Sequence, residues 1–272
     1  MEYFEITGGT PLHGSITLQG SKNAALPLMA ASILHPGRTT LHHVPAIRDV
    51  DVMIEILENI GCTVQKDNGT LIIDAAKAEH FEVAASLGER MRSTIILLGS
   101  MLGRAGRAKM PFPGGCIIGM RPIDIHITSL GKMRAVFEET DGMLCAETDG
   151  LCGTRIHLRF PSVGATENVI LAAVYARGRT RIENCAKNRK LQNFADFCVK
   201  RCKDRRRGNF LYPGRRSQPS EGQHLHADAG SDRGRHLSVC SGSDQRRDLS
   251  GRDASIRYGV RPGCAWQDGC SV

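Results

Sequence analysis

Laid over itself, the first part of this chain repeats with a period of about 70 residues, and a repeat of that length dictates a fold built from copies of one supersecondary unit. The first copy runs from Ser21-Lys22-Asn23-Ala24-Ala25-Leu26-Pro27 into an apolar helix. It continues through Gly37-Arg38-Thr39-Thr40 into a strand and through Arg48-Asp49-Val50-Asp51 into a second helix. The second offers Met91-Arg92-Ser93-Thr94 and an apolar helix, then Gly106-Arg107-Ala108, then Arg121-Pro122-Ile123-Asp124 and another helix. The third offers Ser162-Val163-Gly164-Ala165-Thr166, a helix over Asn168 to Ala176, Gly178-Arg179-Thr180-Arg181, and a helix near Leu191 to Val199. Three equivalent units are therefore expected, at about 21–90, 91–160 and 161–200.

The register is tight. Arg48 to Arg121 and Asp51 to Asp124 are both 73 residues apart, and Gly37, Gly106 and Gly178 follow one another at 69 and 72. Strand pairs close the first two units. Thr63-Val64-Gln65 and Thr70-Leu71-Ile72-Ile73 flank Asp67-Asn68-Gly69, while Ala135-Val136-Phe137 and Met143-Leu144-Cys145-Ala146 flank Thr140-Asp141-Gly142. An Asn-Gly or Asp-Gly pair between alternating apolar residues is a hairpin signal. Ile95-Ile96-Leu97-Leu98 and the run Val169 to Val174 are apolar all round, which predicts helices buried on every face.

What precedes each buried helix is polar. Lys22-Asn23, Arg92-Ser93 and Ser162-Val163-Gly164 sit at helix N-termini, where free backbone N–H groups and the helix dipole favour anions. One such end is ordinary capping. Three in matched register, facing one side of a domain, would gather a phosphate-rich ligand.

Within the second copy lies Pro111-Phe112-Pro113-Gly114-Gly115-Cys116-Ile117-Ile118-Gly119-Met120-Arg121-Pro122. Glycines permit backbone angles denied to other residues and prolines stiffen the flanks, so the segment reads as a loop moving between anchors. A free thiol titrates at roughly 8.5, and a neighbouring cation such as Arg121 lowers that value. The same sequence is compatible with a surface turn whose cysteine is incidental.

Composition divides the chain. Residues 1–200 carry 22 Lys+Arg against 20 Asp+Glu, whereas residues 201–272 carry 14 against 8, so most of the net charge of +8 belongs to the last 72 residues. Only nine of those are Ile, Leu, Val, Met or Phe, without period, and a segment with so little to bury is expected to be poorly ordered. The aromatic residues there, Phe210, Tyr212, Tyr258 and Trp266, are too widely spread to stack bases, which argues against a nucleic-acid partner. The N-terminus shows no charged and apolar leader, Met1 to Glu5 reads as the start of a strand, and no long apolar run occurs. A cytoplasmic location with reduced thiols and no membrane partner is expected. Cys198 with Cys202, Cys264 with Cys270, and His224, His226 and Asp228 fit no usual zinc spacing, so no metal is expected.

Four of these motifs in this order resemble the UDP-N-acetylglucosamine enolpyruvyl transferase (1-carboxyvinyltransferase) family. They are Ser21 to Pro27, Met91-Arg92-Ser93, the loop from Pro113 through Arg121-Pro122-Ile123-Asp124-Ile125-His126, and Phe160-Pro161-Ser162-Val163-Gly164-Ala165-Thr166-Glu167-Asn168. The resemblance covers roughly residues 1–200. It implies an α/β fold, an inside-out α/β barrel of two similar three-unit domains with the active site between them, of which one domain is present here and the second largely missing. The reaction it implies moves the enolpyruvyl group of phosphoenolpyruvate to the 3-hydroxyl of UDP-N-acetylglucosamine with release of phosphate, an early step of peptidoglycan synthesis, and it needs no cofactor.

In that reading Cys116 is the general acid at the methylene carbon, an adduct-forming thiol, and the group fosfomycin attacks in the family. Lys22 and Asn23 meet phosphoenolpyruvate, with Arg92 and Arg121 completing a cationic cradle. Arg92, Arg121, Pro122, Ile123, Asp124 and Ile125, with Ser162, Val163 and Gly164, meet the nucleotide sugar. The shikimate-pathway enolpyruvyl transferase shares fold and phosphoenolpyruvate and is the nearest alternative. A non-catalytic binder of nucleotide sugar or nucleic acid is another.

The resemblance breaks twice. Where the family has an acidic stretch with a proline, this chain reads Lys187-Asn188-Arg189-Lys190, and after about Lys200 the match ends in Arg-, Ser- and Gly-rich sequence of the kind a shifted reading frame produces. With half the cleft absent, little or no turnover is expected of the chain as written.

Overall fold

Two left-handed turns organise the first two units. A computed structural model of the chain describes residues 3–5, 18–112, 123–201 and 209–211. Contacts divide the chain into Gln19–Cys240 and a second unit of Met1–Leu18 with Ser241–Val272; every element named below belongs to the first. Unit one runs α1 (Lys22–Ser32), β1 (Arg38–Leu41), α2 (Arg48–Ile60), β2 (Thr63–Asp67) and β3 (Thr70–Asp74). Unit two runs through a short α3 (Ala85–Gly88), a 3-10 turn (Arg92–Ile96) that leads straight into α4 (Leu97–Ala105), then β4 (Arg107–Pro111), α5 (Asp124–Gly131), β5 (Val136–Thr140) and β6 (Met143–Glu147).

Asn68 and Gly69 take φ of 42° and 75°, and Asp141 and Gly142 take 53° and 72°. Two successive residues with positive φ form the hairpin turn whose twist suits paired strands. Asp67 accordingly stands opposite Thr70 and Thr140 opposite Met143. The first strand of each unit then adds antiparallel to the far side of the hairpin, giving the orders β1-β3-β2 and β4-β6-β5.

The third unit departs from the equivalence expected of it. β7 (Arg155–His157), α6 (Val163–Ala173), β8 (Arg179–Glu183), α7 (Arg189–Arg201) and β9 (Asn209–Leu211) give a sheet β7-β8-β9 in which all strands are parallel. Between α7 and β9 the sequence holds no Asx-Gly pair of the kind that closes the first two units. β8 instead takes one neighbour from before α6 and one from after α7, on the far sides of helical crossovers. β9 lies inside the stretch 201–272 read as a tail. α6 also begins five residues before the Asn168 expected, because Ser162 caps it: its Oγ accepts from the Ala165 N–H at 3.3 Å. Residues 3–5 form no strand.

The helices are inside and the sheets outside. α4 packs on both α1 and α6, and from Ala24 to Ser32 and from Ala165 to Ala173 every residue is buried. Each sheet turns alternate residues inward, among them Leu71 and Ile73, Leu144 and Ala146, Thr180 and Ile182. α2 is amphipathic, burying Val50, Met53, Leu57 and Ile60 and ending at Gly61, whose φ of 103° suits a helix C-terminus.

One glycine sets how closely the central helices approach. A Cβ on Gly99 of α4 would lie 2.3 Å from the backbone oxygen of Asn168 on α6, so only hydrogen fits between them. Among the described residues no helix is long and apolar enough to cross a membrane.

Candidate active site

Three central helices that start in matched register bring their N-terminal ends together. A cavity of about 330 Å³ opens there. α1 contributes Asn23, Leu26 and Pro27, the 3-10 turn Ser93 and Ile96, and α6 Val163 and Glu167; Asn188 and Lys190 complete it at the start of α7. Pro27 has no N–H to give to the carbonyl one turn back, that of Asn23, so the helix exposes an acceptor on the residue that faces the cavity. Of the residues expected at a site from sequence, Asn23 and Val163 line this cavity. Lys22, Arg92, Ser162 and Gly164 adjoin its lining residues in the chain without lining it themselves.

Lys22, the first residue of α1, is ion-paired with Asp49 in the first turn of α2. Both are partly exposed, so the pair leaves the ammonium within reach of solvent and of an incoming anion. Arg92 opens the 3-10 turn and is half-buried.

The segment Ile123, Asp124 and Ile125 forms the start of α5. Asp124 suits the positive end of a helix; its Oδ1 accepts from the Ile125 N–H at 2.8 Å and its Oδ2 is paired with Arg159. Ile125 is buried with its side chain in the core. Cys116, Arg121 and Pro122 lie outside the described residues.

Behind the cavity stands a hub that sequence reasoning missed. Asn168 Oδ1 accepts from the Gly99 N–H at 2.7 Å, and Asn168 Nδ2 lies 2.8 Å from the Ile95 carbonyl and 2.7 Å from His126 Nδ1. One fully buried amide thus ties the 3-10 turn, α4, α5 and α6 together. The His126 ring also abuts Gly164, where a Cβ would stand 3.3 Å from Cε1. Burial depresses the imidazole pKa from its ordinary 6.5 to about 4, with Asp124 opposing the shift, so His126 is neutral at pH 7 and accepts at Nδ1.

A second missed pair is the buried carboxylate of Glu167 and the ammonium of Lys190, 3.0 Å apart at the cavity wall. Burial pushes the Glu167 carboxyl above its ordinary range and Lys190 pulls it back. A glutamate inside a buried helix needs a cation beside it, but the sequence does not say which one. A larger hollow of about 640 Å³, between residues 79–84 and strands β4 and β6, contains none of the expected site residues. The cysteines among the described residues, Cys62, Cys145, Cys152, Cys185 and Cys198, are free, and burial pushes the Cys62 thiol up to about 12, which makes it inert packing.

Sheets outside, three buried helices inside and their N-termini at one cavity define the α/β fold of the enolpyruvyl transferases. Residues 6–197 match the family model of EPSP synthase (3-phosphoshikimate 1-carboxyvinyltransferase), and the chain belongs to that family. It is 44% identical over 199 residues to UDP-N-acetylglucosamine 1-carboxyvinyltransferase of Lawsonia intracellularis, covering 73% of this chain and 48% of that protein. With UDP-N-acetylglucosamine 1-carboxyvinyltransferase 2 of Caldanaerobacter subterraneus subsp. tengcongensis it shares 43% over 197 residues, 72% of this chain and 47% of the relative. The solved structure of the enolpyruvyl transferase NikO from Streptomyces tendae superposes with a TM-score of 0.60 at 20% identity, over 72% of this chain and 46% of that one. The chain thus spans about half the length of the curated relatives it matches.

Proposed function

We propose that this chain supplies one half of the cleft of a UDP-N-acetylglucosamine enolpyruvyl transferase. The observation that carries the reading is the shared cavity at the N-termini of α1, the 3-10 turn and α6, with Asn23, Ser93 and Val163 on its wall and Lys22 next to Asn23 in the chain. Convergent helix N-termini and a nearby ammonium suit a doubly charged diphosphate and a phosphoenolpyruvate better than a neutral ligand. The names of the curated relatives favour the nucleotide sugar over shikimate phosphate as acceptor.

In the reaction, the sugar 3-hydroxyl oxygen bonds to the central carbon of phosphoenolpyruvate and loses its proton, while the Cys116 thiol gives a proton to the methylene carbon. The resulting tetrahedral adduct then expels phosphate as a proton leaves the new methyl group, restoring the double bond in the product. Lys22 and Arg121 hold the phosphate and carboxylate, Arg92 neutralises further charge, and Asn23 orients the hydroxyl through its amide. Asp124, Ile123, Pro122 and Ile125, with Ser162, Val163 and Gly164, meet the uridine diphosphate.

Because the chain matches about half of each relative, binding survives in this reading and turnover is slight. Isothermal titration of the 272-residue chain with UDP-N-acetylglucosamine and with shikimate 3-phosphate tests it. Binding of the former alone is expected. Preference for shikimate 3-phosphate assigns the alternative acceptor, and ordinary phosphate release from phosphoenolpyruvate and UDP-N-acetylglucosamine rejects the view that half the cleft is not enough.

A further inference from the structure

The cavity that is read as an anion site has a carboxylate in its wall. Glu167 sits one turn inside α6, its side chain 5% exposed, facing the space into which three helices point their positive ends. An ionised carboxylate there would repel phosphate groups at close range in a medium that screens poorly. Lys190 Nζ stands 3.0 Å from Glu167 Oε1, its own side chain 15% exposed, and lines the same cavity. Lys190 belongs to the basic run Lys187-Asn188-Arg189-Lys190, which leads into α7.

We propose that Lys190 is a positioning residue that cancels the Glu167 charge, so that the cavity presents helix N-termini, and not a buried anion, to a phosphorylated ligand. The inference rests on the functional reading above and deepens it. Lys190 acts through Glu167 and is not itself a ligand contact. The neighbours around the pair fit this division: Asn23, Ser93 and Asn188 bring uncharged hydrogen-bonding groups to the cavity, while Leu26, Ile96 and Val163 bring apolar side chains. The charge of the wall is therefore set by Glu167 and Lys190 together.

The test is titration of the full chain at pH 8.5, a pH that favours the ionised form of the Glu167 carboxyl, with UDP-N-acetylglucosamine and, in parallel, inorganic pyrophosphate. Lys190→Met is expected to weaken both by roughly tenfold, equivalent to one unscreened charge of modest strength. Lys190→Arg restores binding, and Glu167→Gln/Lys190→Met binds within about twofold of the unaltered chain. Glu167→Gln alone binds as tightly as the unaltered chain or tighter.

The double variant buries no lone charge, so it keeps the comparison with Lys190→Arg readable where Lys190→Met does not fold. A double variant as weak as Lys190→Met makes Lys190 a direct ligand contact and overturns the proposal, as does a Lys190→Met chain that binds normally. If the unaltered chain binds pyrophosphate but not the nucleotide sugar, the functional reading fails while the pyrophosphate arm still decides the role of Lys190. Binding of neither defeats both.

Discussion

His126 Nδ1 on α5 and Asn168 Nδ2 on α6 lie 2.7 Å apart, both buried, and through this contact the helix that follows the Cys116 loop is tied to the helix that carries Glu167. Since the ring is neutral, the amide N–H donates and Nδ1 accepts. The same amide serves Gly99 and Ile95, so one side chain of the third unit holds three elements of the second, the 3-10 turn, α4 and α5, in register.

Asn168→Ala strips partners from the buried Gly99 N–H and His126 Nδ1 at once. We expect a loss of about 2–4 kcal/mol, since each buried polar group left unpaired costs roughly 1–3 kcal/mol. Asn168→Asp keeps the acceptor for Gly99 but cannot donate to Ile95 or His126, so it should recover only part. Urea unfolding of the three chains checks the order.

Acid should weaken the fold through His126. Its folded pKa, about 4, lies below the ordinary 6.5, so between these values the unfolded state binds the extra proton. Stability from this source is complete above about pH 6.5 and declines as pH falls toward 4, by about 3 kcal/mol at most. His126→Gln should flatten that part of the curve of urea midpoint against pH; an unchanged slope would assign the effect to other groups.

Gly106 and Gly142 share a φ of 72°, but a Cβ on Gly142 meets nothing within 4 Å whereas one on Gly106 would lie 2.9 Å from the Thr148 backbone oxygen. Gly142→Ala therefore bears only the left-handed backbone cost, about 1 kcal/mol. Gly106→Ala adds a clash with the strand-closing contact and should lose about 2–3 kcal/mol. Paired thermal melts distinguish the two.

Asp49 competes with any anion for Lys22. Asp49→Asn should tighten pyrophosphate binding by roughly twofold to fivefold, the range expected of a partly exposed ion pair, with the gain shrinking as salt rises. Looser binding would mean that Asp49 holds Lys22 where the ligand needs it.

The sequence alone was enough for the helix, strand, helix and hairpin order of the first two units and for the apolar helices at the centre, because each is a local pattern: turn chemistry, alternation by two, or an apolar run. Family resemblance rested on short motifs such as Ser21 to Pro27, legible without coordinates. The third sheet was not legible, because a parallel sheet pairs strands across a helix and leaves no turn signal in the chain between them. Nor were Asn168 and Glu167, which in one dimension are two polar residues in an apolar helix. Their meaning depends on His126, Gly99 and Lys190, which are 42, 69 and 23 positions away. Tertiary structure decided which helix ends share a cavity and which buried charge is cancelled there, because burial and distance, the quantities that set electrostatic strength, do not exist until the chain has packed.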